Sequence, residues 1–122
     1  VLGTSQPAGG TVIAVGANWF QTYHDGADVR AAFDDAVQEA EWEHGHGGYS
    51  GTIAEKSDYV IITGRPVSQD EATRLADDLV ERDDPRVADK WGPAGAIPIT
   101  RATAPADGSQ PDGWLFCGWA SS

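Results

Sequence analysis

The sequence predicts an α+β domain in the order β-α-β-β-α-β-β, with two helices packed on one face of a mostly antiparallel sheet. Three observations carry this. Residues 27–44 and 69–84 repeat apolar side chains at helical spacing and bring their own start and stop signals. Short runs of β-branched and aromatic residues lie between and outside them, notably 11–20 and 114–120. Gly- and Pro-rich stretches separate these runs, and none is long enough for a linker. The 122 residues therefore read as one domain, with 1–10 as a flexible N-terminal segment and 102–113 as a loop. A ferredoxin-like arrangement accommodates the first six elements.

The first strand is TVIAVGANWF, residues 11–20, bounded by Gly9-Gly10. Asp25 then offers a helix N-cap with Asp28 three residues on, and Gly45 supplies the stop. Within that helix Val29, Phe33, Ala36, Val37, Ala40 and His44 form the apolar stripe, while Asp34, Asp35, Gln38 and Trp42 point away from it. Residues 52–54 and 59–63 read as two strands joined around Glu55-Lys56-Ser57-Asp58, a hairpin. Ser68 with Glu71 is a capping box, and Ala72, Leu75, Ala76, Leu79 and Val80 form the second helix's stripe before Asp84-Pro85. Residues 86–91 suit a further helical turn. Residues 94–100 suit a strand that Pro98 would confine to an edge or cut short. Residues 114–120 return to a strand pattern.

The formal charge of −11, from 19 acidic and 8 basic residues, excludes bare attraction to a nucleic-acid backbone or an anionic membrane. No apolar run approaches the roughly 20 residues of a membrane span, and residues 1–10 lack the pattern of a signal peptide. A cytoplasmic protein is the expectation. Cys117 is the single cysteine and reads as a core thiol, without disulfide or multi-cysteine metal site. Lys is scarce and Asp about twice as frequent as Glu. Genome composition or salt adaptation accounts for that bias, and so does an acidic decoy of a basic groove.

Residues 41–52, EWEHGHGGYSGT, hold the densest chemistry. His44 and His46 with Glu43 are ligand types for Zn²⁺, but His-x-His suits a strand, and here His44 ends a helix. The same residues with Tyr49 or Ser50 suit acid–base chemistry, yet no Gly-x-Ser-x-Gly elbow or His-Glu-x-x-His motif is present. Gly48 and Gly51 permit a backbone that exposes N–H groups. With Tyr49, Ser50, Thr52, Lys56 and Arg65 they compose a cradle for a small anionic or nucleotide-like ligand, against the plainer reading of a helix stop and turn. Five tryptophans need an accounting: Trp19, Trp114 and Trp119 suit the core, and Trp91 a loop. Trp42, beside Asp34, Asp35 and Glu39, is an anchor for a partner protein or a second copy, unless it folds under the 102–113 loop.

Residues 43–56, EHGHGGYSGTIAEK, resemble a group of small uncharacterised phage and bacterial proteins in which a helix is followed by a Gly-rich Tyr-x-Gly-Thr-Ile segment. Gly48, Tyr49, Gly51, Thr52 and Ile53 carry the resemblance. It implies a phage-type accessory or anti-defence protein in the host-cell cytoplasm. The sequence as a whole leads to a non-enzymatic binding protein without a cofactor, engaging a host protein or a small anionic ligand. The alternatives are a metal-assisted hydrolase using His44 and His46, and a homo-oligomeric assembly subunit built through Trp42 and an edge strand at 114–120.

Overall fold

The computed structural model describes residues 17–44, 51–101 and 110–121, with the backbone alone for His44 and Ser121. The described elements are β1 (Ala17–Asp25), α1 (Val29–His44), β2 (Tyr59–Ile61), α2 (Gln69–Glu81), β3 (Ala94–Ile99) and β4 (Gly113–Ser121). They form a four-stranded sheet of order β1-β4-β3-β2. Strand β4 is antiparallel to β1 and β3, while β2 and β3 are parallel. The expected α+β class and mostly antiparallel sheet are thus observed. Among the described residues no helix is long and apolar enough to cross a membrane.

The expected strand at 52–54 is instead a single 3-10 turn, Ile53–Glu55. The Thr52 hydroxyl accepts a bond from the Ala54 N–H at 3.2 Å, and the Glu55 N–H donates to the Thr52 carbonyl at 3.0 Å. A residue that caps its own neighbour withholds that backbone from a sheet. Without the hairpin, β2 pairs in parallel with β3, and α2 becomes the crossover between them.

That change moves the helices to opposite faces. Along β3 and β4, Ala94, Ala96, Trp114 and Phe116 face Ala32, Phe33, Ala36 and Ala40 of α1. The alternate residues Ile97, Ile99, Leu115 and Cys117 face Ala72, Ala76 and Leu79 of α2, with Val87. The chain crosses from one sheet edge to the other between β1 and β2, then steps back between β2 and β3. Parallel crossovers of one hand that travel in opposite directions cover opposite faces. The one-face, ferredoxin-like packing does not occur.

Pro98 is not at an edge, because β3 is flanked by β4 on one side and by β2 and Val67 on the other. The Ile62 N–H donates to the Ala96 carbonyl at 2.9 Å, so the next ladder bond would run from an N–H at position 98 to the Ile62 carbonyl. Pro98 has none. The chain leaves the ladder there and rejoins at Val67, whose N–H reaches the Pro98 carbonyl at 3.0 Å. The Ile62 carbonyl accepts instead from Arg86 Nη1 at 3.5 Å. Pro98 therefore ends β2 rather than β3. Strand β4 likewise has neighbours on both sides and offers no edge at 114–120.

Strand β1 runs later than expected because β4 supplies a ladder partner for its polar tail through Asp25; residues 11–16 lie outside the description. Gly26 follows at φ +113°, left-handed backbone that turns the chain toward α1. Asp28, not Asp25, caps α1, its Oδ1 accepting from the Arg30 N–H at 3.1 Å. The sheet-facing stripe of α1 is mostly Ala, which lets the helix sit close.

Helix α2 begins as expected, with Ser68 Oγ accepting from the Glu71 N–H at 3.1 Å. It ends in a Schellman turn: the Asp84 N–H reaches the Leu79 carbonyl at 3.0 Å and the Asp83 N–H the Val80 carbonyl at 3.3 Å. Asp83 takes the left-handed position at φ 53°. The buried Asp84 carboxylate accepts from Arg86 Nε and Nη2, both at 3.0 Å, and from Arg82 Nη2 at 3.2 Å. The Arg86 guanidinium and backbone N–H hold the Asp84 carboxyl at about 2. A carboxyl lowered on folding stabilises the fold above the ordinary carboxylate range, and that contribution disappears as pH falls through its folded value. Both arginines are half-exposed, so screening limits the gain to about 1–2 kcal/mol. Asp84→Asn is expected to lower stability by that amount at pH 7 and to flatten the acid limb between pH 4 and 2, as read by urea unfolding.

Candidate functional site

The outer face of α1 carries the most unusual surface. Asp35, Gln38, Glu39 and Trp42 recur at helical spacing on the side opposite the alanine stripe, and with Glu41 they line a shallow concavity. Trp42 is 89% exposed, against 65% for Trp91 and 47% for Ile61, the other exposed large apolar side chains among the described residues. Among the described residues no segment covers Trp42, and residues 102–109 of the loop expected over it lie outside the described residues. Glu39 Oε1 lies 3.4 Å from His24 Nε2 of β1, an ion pair when the imidazole is protonated. Asp34, on the flank of this face, pairs with Arg30 at 3.6 Å.

Arg30 shows what such a face does with a cation. Its guanidinium lies 5.5 Å from the Phe33 ring centroid and 4.9 Å from that of Tyr59, while Nη2 reaches Asp58 Oδ1 at 3.4 Å. One arginine thus engages aromatic rings and carboxylates together.

The anion cradle expected around residue 50 is described only in part. Gly48, Tyr49 and Ser50 lie outside the described residues. Gly51 is buried at φ +72°, and Thr52 caps the 3-10 turn. Lys56 is 4% exposed, and its ammonium donates to the carbonyls of Gly92, Lys90 and Asp89 at 2.9, 3.2 and 3.4 Å. All three of its N–H bonds are thereby engaged within the protein. Lys56 precedes β2 and the exposed Arg65 follows it, so the two cations stand at opposite ends of that strand and are not brought together.

Lys56 ties the turn before β3 to the chain before β2. Burial lowers its ammonium to about 8, against a weaker opposing pull from Asp89. The unfolded lysine keeps its proton to about pH 10.4, so the unfolded chain binds more protons between these values. Stability is therefore expected to rise with pH over that window. Urea unfolding at pH 7.5, 8.5 and 9.5 should show this rise in the native protein and lose it in Lys56→Met.

Of the expected metal ligands, the His44 side chain and His46 lie outside the described residues, and Glu43 is exposed. Among the described residues no three His, Cys, Asp or Glu side chains are grouped to hold an ion. Burial pushes the Cys117 thiol up to about 12, which fits the core role expected of it. Trp114 is buried, with Nε1 donating to the Ala27 carbonyl at 2.9 Å, and Trp19 packs edge-on against Trp119 at 5.6 Å.

A second concavity was not legible in the sequence. Tyr23, Ser68, Gln69, Asp70, Ile99, Thr100 and Arg101 meet where β1 and β3 end and α2 begins. Its one cation, Arg101, faces Asp25 at 3.7 Å, and its main-chain N–H donates to Asp112 at 2.6 Å. Asp70 and Glu71 occupy the first turn of α2. Those carboxylates offset the helix dipole and Arg101, leaving no net attraction for an anion.

No known protein family model matches the chain, and no curated protein or solved structure is similar to it.

Proposed function

We propose that the protein is a small acidic binding module that engages a basic protein partner through the outer face of α1, with Trp42 as its anchor. The 89% exposure of Trp42 carries this reading. An indole left in water is unfavourable for a lone monomer, and tryptophan is the residue type most enriched at binding hot spots. Asp35, Glu39 and Glu41 surround it with negative charge, which steers a basic partner and repels an acidic one. A second copy is disfavoured here, because a two-fold contact through this face would set these carboxylates against themselves. A phage-type accessory protein that sequesters a host protein would use such a face. The test is retention from a lysate of the producing cells on the immobilised protein. Protein held by the native chain, released by salt and lost with Trp42→Ala but not Trp91→Ala supports the reading. Equal retention by all three overturns it.

A further inference from the structure

Resting on that reading, we infer that the partner presents arginine: the α1 face is an arginine receptor in which a guanidinium lies on the Trp42 indole and pairs with the Asp35 and Glu39 carboxylates. A filled version of this arrangement stands where α1 meets the start of β2. Arg30 spans the Phe33 and Tyr59 rings while pairing with Asp34 and Asp58. One helical face further round, Trp42 supplies the ring, and Glu39 and Asp35 stand about one and two turns toward the N-terminus, with Gln38 lining the same concavity. Helical side chains lean toward the N-terminus, so the indole extends over the turn that carries Gln38 and Glu39, with Asp35 one turn beyond. No cation among the described residues stands over the Trp42 ring or pairs with Asp35. Arginine fits this set better than lysine, because its planar guanidinium stacks on an indole while donating in plane to two carboxylates, whereas an ammonium is a hydrated point charge. The shallow, open concavity suits a side chain reaching in from a partner surface rather than an enclosed small molecule.

The probes are hexa-arginine and hexa-lysine peptides, titrated calorimetrically into the folded protein at near-physiological ionic strength. Equal peptide charge makes general attraction to the acidic chain common to both. Hexa-arginine is expected to bind about five- to tenfold more tightly than hexa-lysine. Trp42→Ala, at a fully exposed position, should remove that preference, Asp35→Asn should reduce it, and Trp91→Ala should leave it intact. Equal binding of the two peptides by the native protein, with Trp42→Ala weakening both, would overturn the arginine inference and leave the protein-binding reading standing. If Trp42→Ala and Asp35→Asn change neither affinity, both fall together. A preference that survives Trp42→Ala also overturns the inference.

Discussion

Phe116→Ala is expected to lower the stability of the protein by about 3–5 kcal/mol, enough to threaten folding at ordinary temperature. Phe116 is fully buried in β4, between Thr22 of β1 and Ala96 of β3. Its ring meets Phe33 of α1 edge-on at 5.6 Å, and Phe33 in turn meets Tyr59 of β2 at 5.3 Å. This aromatic row joins the first helix to the sheet, and its neighbours are mostly alanines too small to refill the space. Truncation therefore removes apolar burial and leaves a cavity. Urea unfolding should show the midpoint falling by about 2 M. Phe116→Leu should recover most of that loss. A cost below about 1 kcal/mol for the alanine variant would contradict this packing of α1 on the sheet.

On the outer side of the same helix, two substitutions should leave stability within about 0.5 kcal/mol yet weaken partner binding in different ways. Trp42→Ala removes the anchor and is expected to cost about 2 kcal/mol of affinity, roughly thirtyfold, mainly through faster dissociation. Asp35→Lys reverses a charge that the partner meets on approach. It should slow association by about tenfold at low salt and by less at high salt. Surface plasmon resonance against the retained partner separates the two rates. Should Asp35→Lys change dissociation alone, with no salt dependence, the carboxylates do not steer the partner as described.

The sequence carried the helices well because each signals locally. Ser68 caps α2 as its spacing with Glu71 suggests, and the outward positions Asp34, Asp35, Gln38 and Trp42 of α1 are all exposed. The sheet was less legible, since pairing joins residues distant in the chain. Thr52 and Ile53 look like strand formers, but a hydroxyl that bonds two residues on diverted them into a turn. Losing that one strand converts a hairpin into a parallel crossover, and the second helix passes to the other face. Pro98 misled in the same way, since its missing N–H ended the neighbouring strand rather than its own. Lys56 resembles a ligand-binding cation until the turn at 89–92, over thirty residues away, is seen to supply three carbonyls. The Tyr23 and Arg101 concavity is likewise assembled from three separate segments.

The central claim, that the outer face of α1 with Trp42 is where a partner docks, is tested most directly by ¹H–¹⁵N NMR of the labelled protein during titration with the partner it retains. Five tryptophan indole N–H signals report on five positions at once. The account predicts that the Trp42 indole and the amides of residues 34–42 shift together and saturably, while the Trp91 indole and the amides of Thr100 and Arg101 stay still. Shifts centred on Tyr23, Ser68 and Arg101 with an unmoved Trp42 would contradict it and move the binding site to the carboxyl ends of β1 and β3.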